Sequence, residues 1–230
     1  MTAQTWRKLL VKLLITTAAM VCVGSAAATE KPEDGDIRGM HIGMHVEDIN
    51  NANYERVSCA RLDGDGSTQA DIAKVSAFAD CPADASGLIS VQVHYAAIEP
   101  WSKISDRFQG TKLAGHPVNL YVRISSEGIV QALLAETDPQ ARRYMRKKAF
   151  LLTLRIKGRY GRENWTCSKD TPNDQKHRVG GMFIDETCKK QLDGRQLIVH
   201  TRLYRKAGQG PKDFVGSTIF EILGPNVESS

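Results

Sequence analysis

Thr137–Gly161, TDPQARRYMRKKAFLLTLRIKGRYG, carries the longest helix signal in the chain, and its reading decides the fold class. Thr137 or Asp138 is placed to cap an N-terminus, with Pro139 where a missing N–H costs nothing. Ala141, Met145, Ala149, Leu152 and Ile156 recur at spacings of four, four, three and four, one apolar stripe down a helix. Arg142, Arg143, Arg146 and Lys147 lie largely off that stripe. From Phe150 to Ile156 the apolar residues run almost all round, which predicts enclosure. Gly158 or Gly161 supplies the stop.

Outward from this helix, most segments read as strands. Upstream, Val118 to Ile124 and Ile129 to Ala135 flank Ser-Ser-Glu-Gly, a hairpin signal. Leu88 to Ala96 alternates with Ile89, Val91 and Val93 on one side, and Arg56 to Leu62 and Ile72 to Asp80 are further strands. Ile37 to Ile42 reads as a short strand broken by Gly43, with a helix over Met44 to Tyr54 and another short one at Ser105 to Phe108. Downstream, strands are expected at Asn164 to Lys169, Gly181 to Asp185, Leu197 to Tyr204 and Phe214 to Leu223. Strands joined by short turns, with few helices, predict an α+β fold with a mainly antiparallel sheet.

Arg7 and Lys8 open the run LLVKLLITTAAMVCVG, which ends in small residues with Ala26 and Ala28 spaced for cleavage. This is the pattern of a secretory signal over residues 1–28, leaving a domain at 29–230 with possible halves 29–112 and 113–230. Export predicts a periplasmic or secreted protein. No later segment is apolar enough to cross a bilayer, so stable membrane insertion is not expected once the signal is removed. A composition of 41% hydrophobic and 25% charged residues excludes wholesale disorder.

Charge is unevenly spread. Residues 29–137 hold 9 basic and 16 acidic side chains, net −7, while residues 138–230 hold 19 and 10, net +9. Such a split favours attraction between the halves, or an acidic partner for the second.

Cys59, Cys81, Cys167 and Cys188 remain after the signal, an even number that reads as two disulfides in an exported chain. Three connectivities are open. Cys59–Cys81 with Cys167–Cys188 is the favoured one, because it closes two local loops of similar length. No C-x-x-C pair supports a zinc site.

Motifs for chemistry are sparse. The chain has no G-x-S-x-G, no H-E-x-x-H and no phosphate-cradling glycine loop, and His94, His116, His177 and His200 are scattered. Asp63, Asp65 and Ser67 imitate the start of a calcium loop, but Thr68 and Lys74 stand where the glycine and the bidentate glutamate belong. Met40, His41, Met44 and His45 offer thioethers and imidazoles, ligands that suit copper. If Gly43 ends a strand, both methionines are core residues instead. No cofactor is expected.

Two stretches resemble exported bacterial envelope modules. Ile37-Arg-Gly-Met-His-Ile-Gly-Met-His-Val-Glu-Asp is similar to the opening of the SmpA/OmlA outer-membrane lipoproteins and of the β-lactamase-inhibitor-like fold. The hairpin around Ser125 to Gly128, leading to Gly158-Arg159-Tyr160-Gly161 and Trp165, resembles the second half of such proteins. The resemblance covers about a third of the chain and implies a helix-plus-sheet binding fold, of two related halves, with no catalytic residue carried over.

These readings together predict a non-catalytic exported protein that binds another exported or envelope protein, as an inhibitor, immunity factor or assembly accessory. Arg142, Arg143, Arg146 and Lys147 would meet an acidic surface on that partner, and export argues against nucleic acid. The alternatives are a periplasmic copper-binding protein using Met40, His41, Met44 and His45, and a hydrolase whose carboxylates pair only in space.

Overall fold

Eleven strands form the frame of the structure, a computed structural model that describes residues 36–51, 54–62, 68–95, 111–225 and 227–229. They are β1 (Tyr54–Ala60), β2 (Thr68–Ile72), β3 (Ile89–Tyr95), β4 (Lys112–Leu113), β5 (His116–Ile124) and β6 (Val130–Thr137). After two short helices, α1 (Arg143–Lys147) and α2 (Phe150–Arg159), come β7 (Thr166–Lys169), β8 (Lys176–His177), β9 (Ile184–Leu192), β10 (Arg195–Lys206) and β11 (Val215–Leu223). The signal expected at 1–28, the calcium-like turn at 63–67 and the helix expected at 105–108 lie outside the described residues.

The sheet order is β2-β1-β3-β5-β6-β11-β10-β9-β7, with β4 on β5 and β8 on β10, and every pairing is antiparallel. The chain builds outward to β6, crosses to the far edge through α1 and α2, and walks back to lay β11 against β6. The boundary between residues 112 and 113 falls inside β4, and strands from both sides of it join one sheet.

Period-two alternation explains the register. One row of residues crosses nine strands in pairwise contact: Ile72, Val57, Val93, Leu120, Ala135, Phe220, Val199, Cys188 and Cys167. The adjacent row on this face is Cys59, Val91, Val122, Leu133, Ile222 and Leu197. A slip of one residue in any strand would turn its apolar set to the other face, so the rows fix the pairing. Leu152 and Ile156 of α2 cover this face, with Ile37, Met40, Val46, Ile49 and Val75 from irregular segments, in one buried cluster. The opposite face buries polar side chains among apolar ones, including Ser58, Gln92, Arg123 and Glu221. Arg123 donates there to Asp84 at 2.8 Å.

The class is therefore mainly β, and the expected α+β arrangement of helices on a sheet is corrected. The long helix expected over Thr137–Gly161 accounts for much of the difference. Thr137 ends β6, and its hydroxyl accepts the Thr218 N–H at 2.9 Å. Asp138 caps only a turn, accepting the Gln140 N–H. Helix starts at Arg143 and breaks between α1 and α2. There Thr218 donates its hydroxyl to the Ala149 carbonyl at 2.9 Å, and Gly216 runs under Arg146 so closely that a Cβ would stand 2.6 Å from its carbonyl oxygen. A strand hydroxyl inserted at a helix carbonyl favours a break of this kind. Ala149, Leu152 and Ile156 are buried as the stripe requires, but Leu154 is 62% exposed, so α2 is not enclosed. Gly161, at φ +85°, lies just past its end.

Among the described residues, the helix expected over Met44 to Tyr54 is reduced to 3-10 geometry at Val46–Asp48 and at Asn51. Its backbone groups are diverted across to β6: Gly43 N–H to Val130, Val130 N–H to Met44, and Val46 N–H to Gly128. Ile37 and Met40 bridge a tight turn rather than forming a strand. Of the strand expected at Ile72 to Asp80, only Ile72 is in a strand, and Val75–Asp80 is 3-10.

Candidate functional site

The crossover from β6 to β7 concentrates positive charge. From Arg142 to Arg162 the chain carries nine cations and no acid: Arg142, Arg143, Arg146, Lys147, Lys148, Arg155, Lys157, Arg159 and Arg162. The apolar stripe of α2 is spent on β10 and β11, which leaves the charged side chains on the outer surface. Arg142, Arg143, Lys147 and Lys148 are exposed, and among the described residues none of them forms an ion pair with a carboxylate. The described acids of the first half therefore do not neutralise them. Tyr144 and Leu154 lie exposed on the same crossover, 47% and 62% accessible, two of the three large apolar side chains that are exposed among the described residues.

Arg146 behaves differently from its neighbours. It is half-buried, with its guanidinium 5.5 Å from the centre of the Phe214 ring, and Arg143 approaches the same ring at 5.7 Å. Arg146 thus helps to fix α1 on the sheet, while Arg142, Arg143 and Lys147 remain at the surface.

Beside α2 lies a cleft of about 400 Å³. Leu152, Ile156 and Phe220 line its depth, and Arg38, Lys112, Arg155 and Arg159 stand around it. Asp36, its one acid, is buried and accepts from Arg195 and from the Ile42 N–H. Tyr160 closes one end by donating to the Asp36 carbonyl. An apolar depth with cations above it suits a group with an apolar body and a negative end.

The four copper-type residues divide between core and solvent. Met40 is buried and Met44 packs against the core, whereas His41 and His45 are exposed. His45 Nδ1 accepts the Glu47 N–H at 3.3 Å, which caps the 3-10 turn.

His200 sits in a second, polar cleft of about 390 Å³ on the opposite face, with Ser168, Asp170, Lys176, Asp185, Thr187, Arg202 and Tyr204. Lys176 pairs with Asp170 at 2.9 Å and with Asp185, and His200 Nε2 lies 3.6 Å from Asp185. Both ring nitrogens also face Arg202, each at 3.2 Å. Burial, and then Arg202, push the imidazole below its ordinary range against the pull of Asp185. Among the described residues no hydroxyl hydrogen-bonds this ring. The cluster is built as an ion network, without the nucleophile–base contact that acyl transfer needs.

The structure joins Cys59 to Cys81 and Cys167 to Cys188, the local connectivity. The Cys59 bridge lies in the core. The other ties edge strand β7 to β9, next to α2. No described helix is long and apolar enough to span a membrane.

Sequence reading singled out the cations of α1 and missed those of α2. The signal was present: no acid interrupts the run through Arg162. Arg38 and Lys112 had no local signal, since only the fold brings them to α2. Compared with protein families, curated proteins and solved structures, the chain has no match. The class defined by fold and site is thus an antiparallel β protein with a basic helical crossover, stapled by two disulfides.

Proposed function

We propose that this is an exported, non-catalytic binding protein that docks an acidic exported protein on its helical crossover, as an inhibitor, immunity factor or envelope-assembly accessory. The observation that carries this reading is the run of nine cations without an acid from Arg142 to Arg162, of which Arg142, Arg143, Lys147 and Lys148 form no ion pair among the described residues, accompanied by exposed Tyr144 and Leu154. Arginines and aromatics are enriched where protein partners meet, and a one-signed surface speeds encounter with its opposite. The cleft beside α2 adds a place for an acidic side chain with an apolar stem. A signal at 1–28 and two disulfides fit an oxidising compartment beyond the inner membrane, where nucleic acid is not the expected polyanion.

The test is affinity capture from an envelope extract with the oxidised protein, beside a variant carrying Arg142→Glu, Arg143→Glu, Lys147→Glu and Lys148→Glu. One stoichiometric partner, released by salt and lost from the variant, is the expected result. A partner retained equally by both proteins, or none retained by either, contradicts the reading.

A further inference from the structure

The two disulfides are chemically unlike. Cys59 and Cys81 are both buried, and among the described residues no cation hydrogen-bonds either sulfur. Cys167 is exposed on an edge strand whose four residues all face solvent, while Cys188 is 1% accessible. The Lys157 ammonium, reaching over from α2, stands 3.1 Å from Cys188 Sγ and 3.6 Å from Cys167 Sγ. Trp165 flanks that ammonium, its ring centre 5.7 Å away, and Lys190 approaches the same ring at 5.8 Å while donating to the Tyr160 and Gly161 carbonyls. The carboxylate of Glu186 lies within 4.8 Å of both sulfurs and is itself paired with Lys169 at 3.4 Å. The nearest charge to the bridge is thus a cation, and the nearest anion already has a cation beside it.

We propose that Cys167–Cys188 is a thiol–disulfide exchange site that takes electrons from an exported dithiol, and that Lys157 is its positioning residue. The geometry sets the order of events. A thiolate of the dithiol attacks the exposed sulfur of Cys167, the Cys167–Cys188 bond breaks, and its electron pair leaves on Cys188, where the ammonium is waiting. The second thiol of the dithiol then attacks the mixed disulfide, releasing Cys167. The dithiol ends as a disulfide, and the two protons it gives up balance the two new thiols of this chain. A cation at the leaving sulfur favours this direction, because exchange is faster when the departing thiolate is stabilised, and a stabilised reduced form makes the bridge a stronger oxidant. Glu186, beside both sulfurs, is placed to exchange a proton with the released thiols.

The enclosed bridge serves as an internal reference. The oxidised protein is treated with dithiothreitol at neutral pH, quenched, alkylated and mapped by peptide mass spectrometry. Cys167–Cys188 is expected to open at least about tenfold faster than Cys59–Cys81, and Lys157→Met to slow only the first by about tenfold, since the leaving thiolate loses its cation. In the parent protein with only this bridge open, one thiol should ionise clearly below the ordinary value of about 8.5. Exposure alone would give the faster opening without the dependence on Lys157 or the acidic thiol. Equal opening rates for the two bridges, an unchanged rate in Lys157→Met, or a thiol of ordinary acidity would each overturn the proposal. The two parent-protein measurements decide the matter if that variant does not fold.

Discussion

At the β2 end of the sheet, Cys59 and Cys81 are sealed in the core with Val57, Val75 and Val91, and the 3-10 segment Val75–Asp80 is folded over the strands. At the β7 end, the last strand has no buried residue, one sulfur of its disulfide is open to solvent, and the crossover that leads to it carries nine cations. Both bridges close loops of nearly equal length, with separations of 22 and 21 residues. Loop entropy alone would therefore make them equivalent, at about 3 kcal/mol each. What differs is the surroundings. One end of the molecule is enclosed, and the other is exposed and basic.

The sharpest way to break this comparison is to remove each bridge. Cys59→Ala with Cys81→Ala should cost about 4–5 kcal/mol, the loop entropy plus the void left in a packed core. Cys167→Ala with Cys188→Ala should cost about 3 kcal/mol or a little more, because solvent already reaches Cys167 and only Cys188 leaves a void. Urea unfolding of both variants gives the two numbers. Equal losses would show that the two ends are not differently packed.

Next in size is the seam between crossover and sheet. Gly216→Ala would place a Cβ 2.6 Å from the Arg146 carbonyl oxygen and 2.8 Å from the Phe214 ring. A loss of about 2 kcal/mol is expected from this overpacking, with α1 displaced. A neutral result would mean that α1 is not seated on β11.

Acid should weaken both ends by smaller steps. Burial pushes His94, His116 and His200 below their ordinary value of 6.5, with Arg56, Arg155 and Arg202 adding to the shift in turn. The folded protein therefore binds fewer protons than the unfolded chain in this range. The stability these three groups contribute is whole above 6.5 and is lost as pH falls through their lower folded values. His200→Gln should flatten the decline between pH 6.5 and the lower folded value, read from denaturant midpoints across pH. An unaltered decline would remove His200 from the account.

Smallest of all should be the effect of charge on stability at the basic crossover. Arg142→Glu with Lys148→Glu should change unfolding free energy by no more than about 0.5 kcal/mol, since exposed charges contribute little. A larger loss would make these cations part of the fold rather than of a docking face.

Much of this was legible in the chain, for identifiable reasons. Val118 to Ile124 and Leu197 to Tyr204 read as strands because alternation over a half-buried surface is a local signal, and Ser-Ser-Glu-Gly marked the β5–β6 turn. The stripe Ala149, Leu152 and Ile156 was readable for the same reason. The break before α2 was not, because Thr218 and Gly216, which act on Ala149 and Arg146, lie far along the chain. Met44 to Tyr54 mimicked a helix until β6 captured its backbone groups. Most of β9 was missed since its outward residues Asp185, Thr187 and Lys189 are polar and its inward ones include Glu186 and Lys190. At the site, the basic run of α1 was visible, but Arg146 turned out to pack on Phe214. Lys157 over the Cys188 sulfur could not be read at all, since it depends on where α2 crosses β9.

The account stands or falls on which end of the molecule meets its partner. A photocrosslinking residue at Tyr144, and separately at Ala70 on the exposed edge strand β2, tests this directly in intact cells. The prediction is a discrete protein adduct from position 144, abolished by reversing Arg142, Arg143, Lys147 and Lys148, and none from position 70. Adducts from position 70 alone, from both positions alike, or from neither would contradict it.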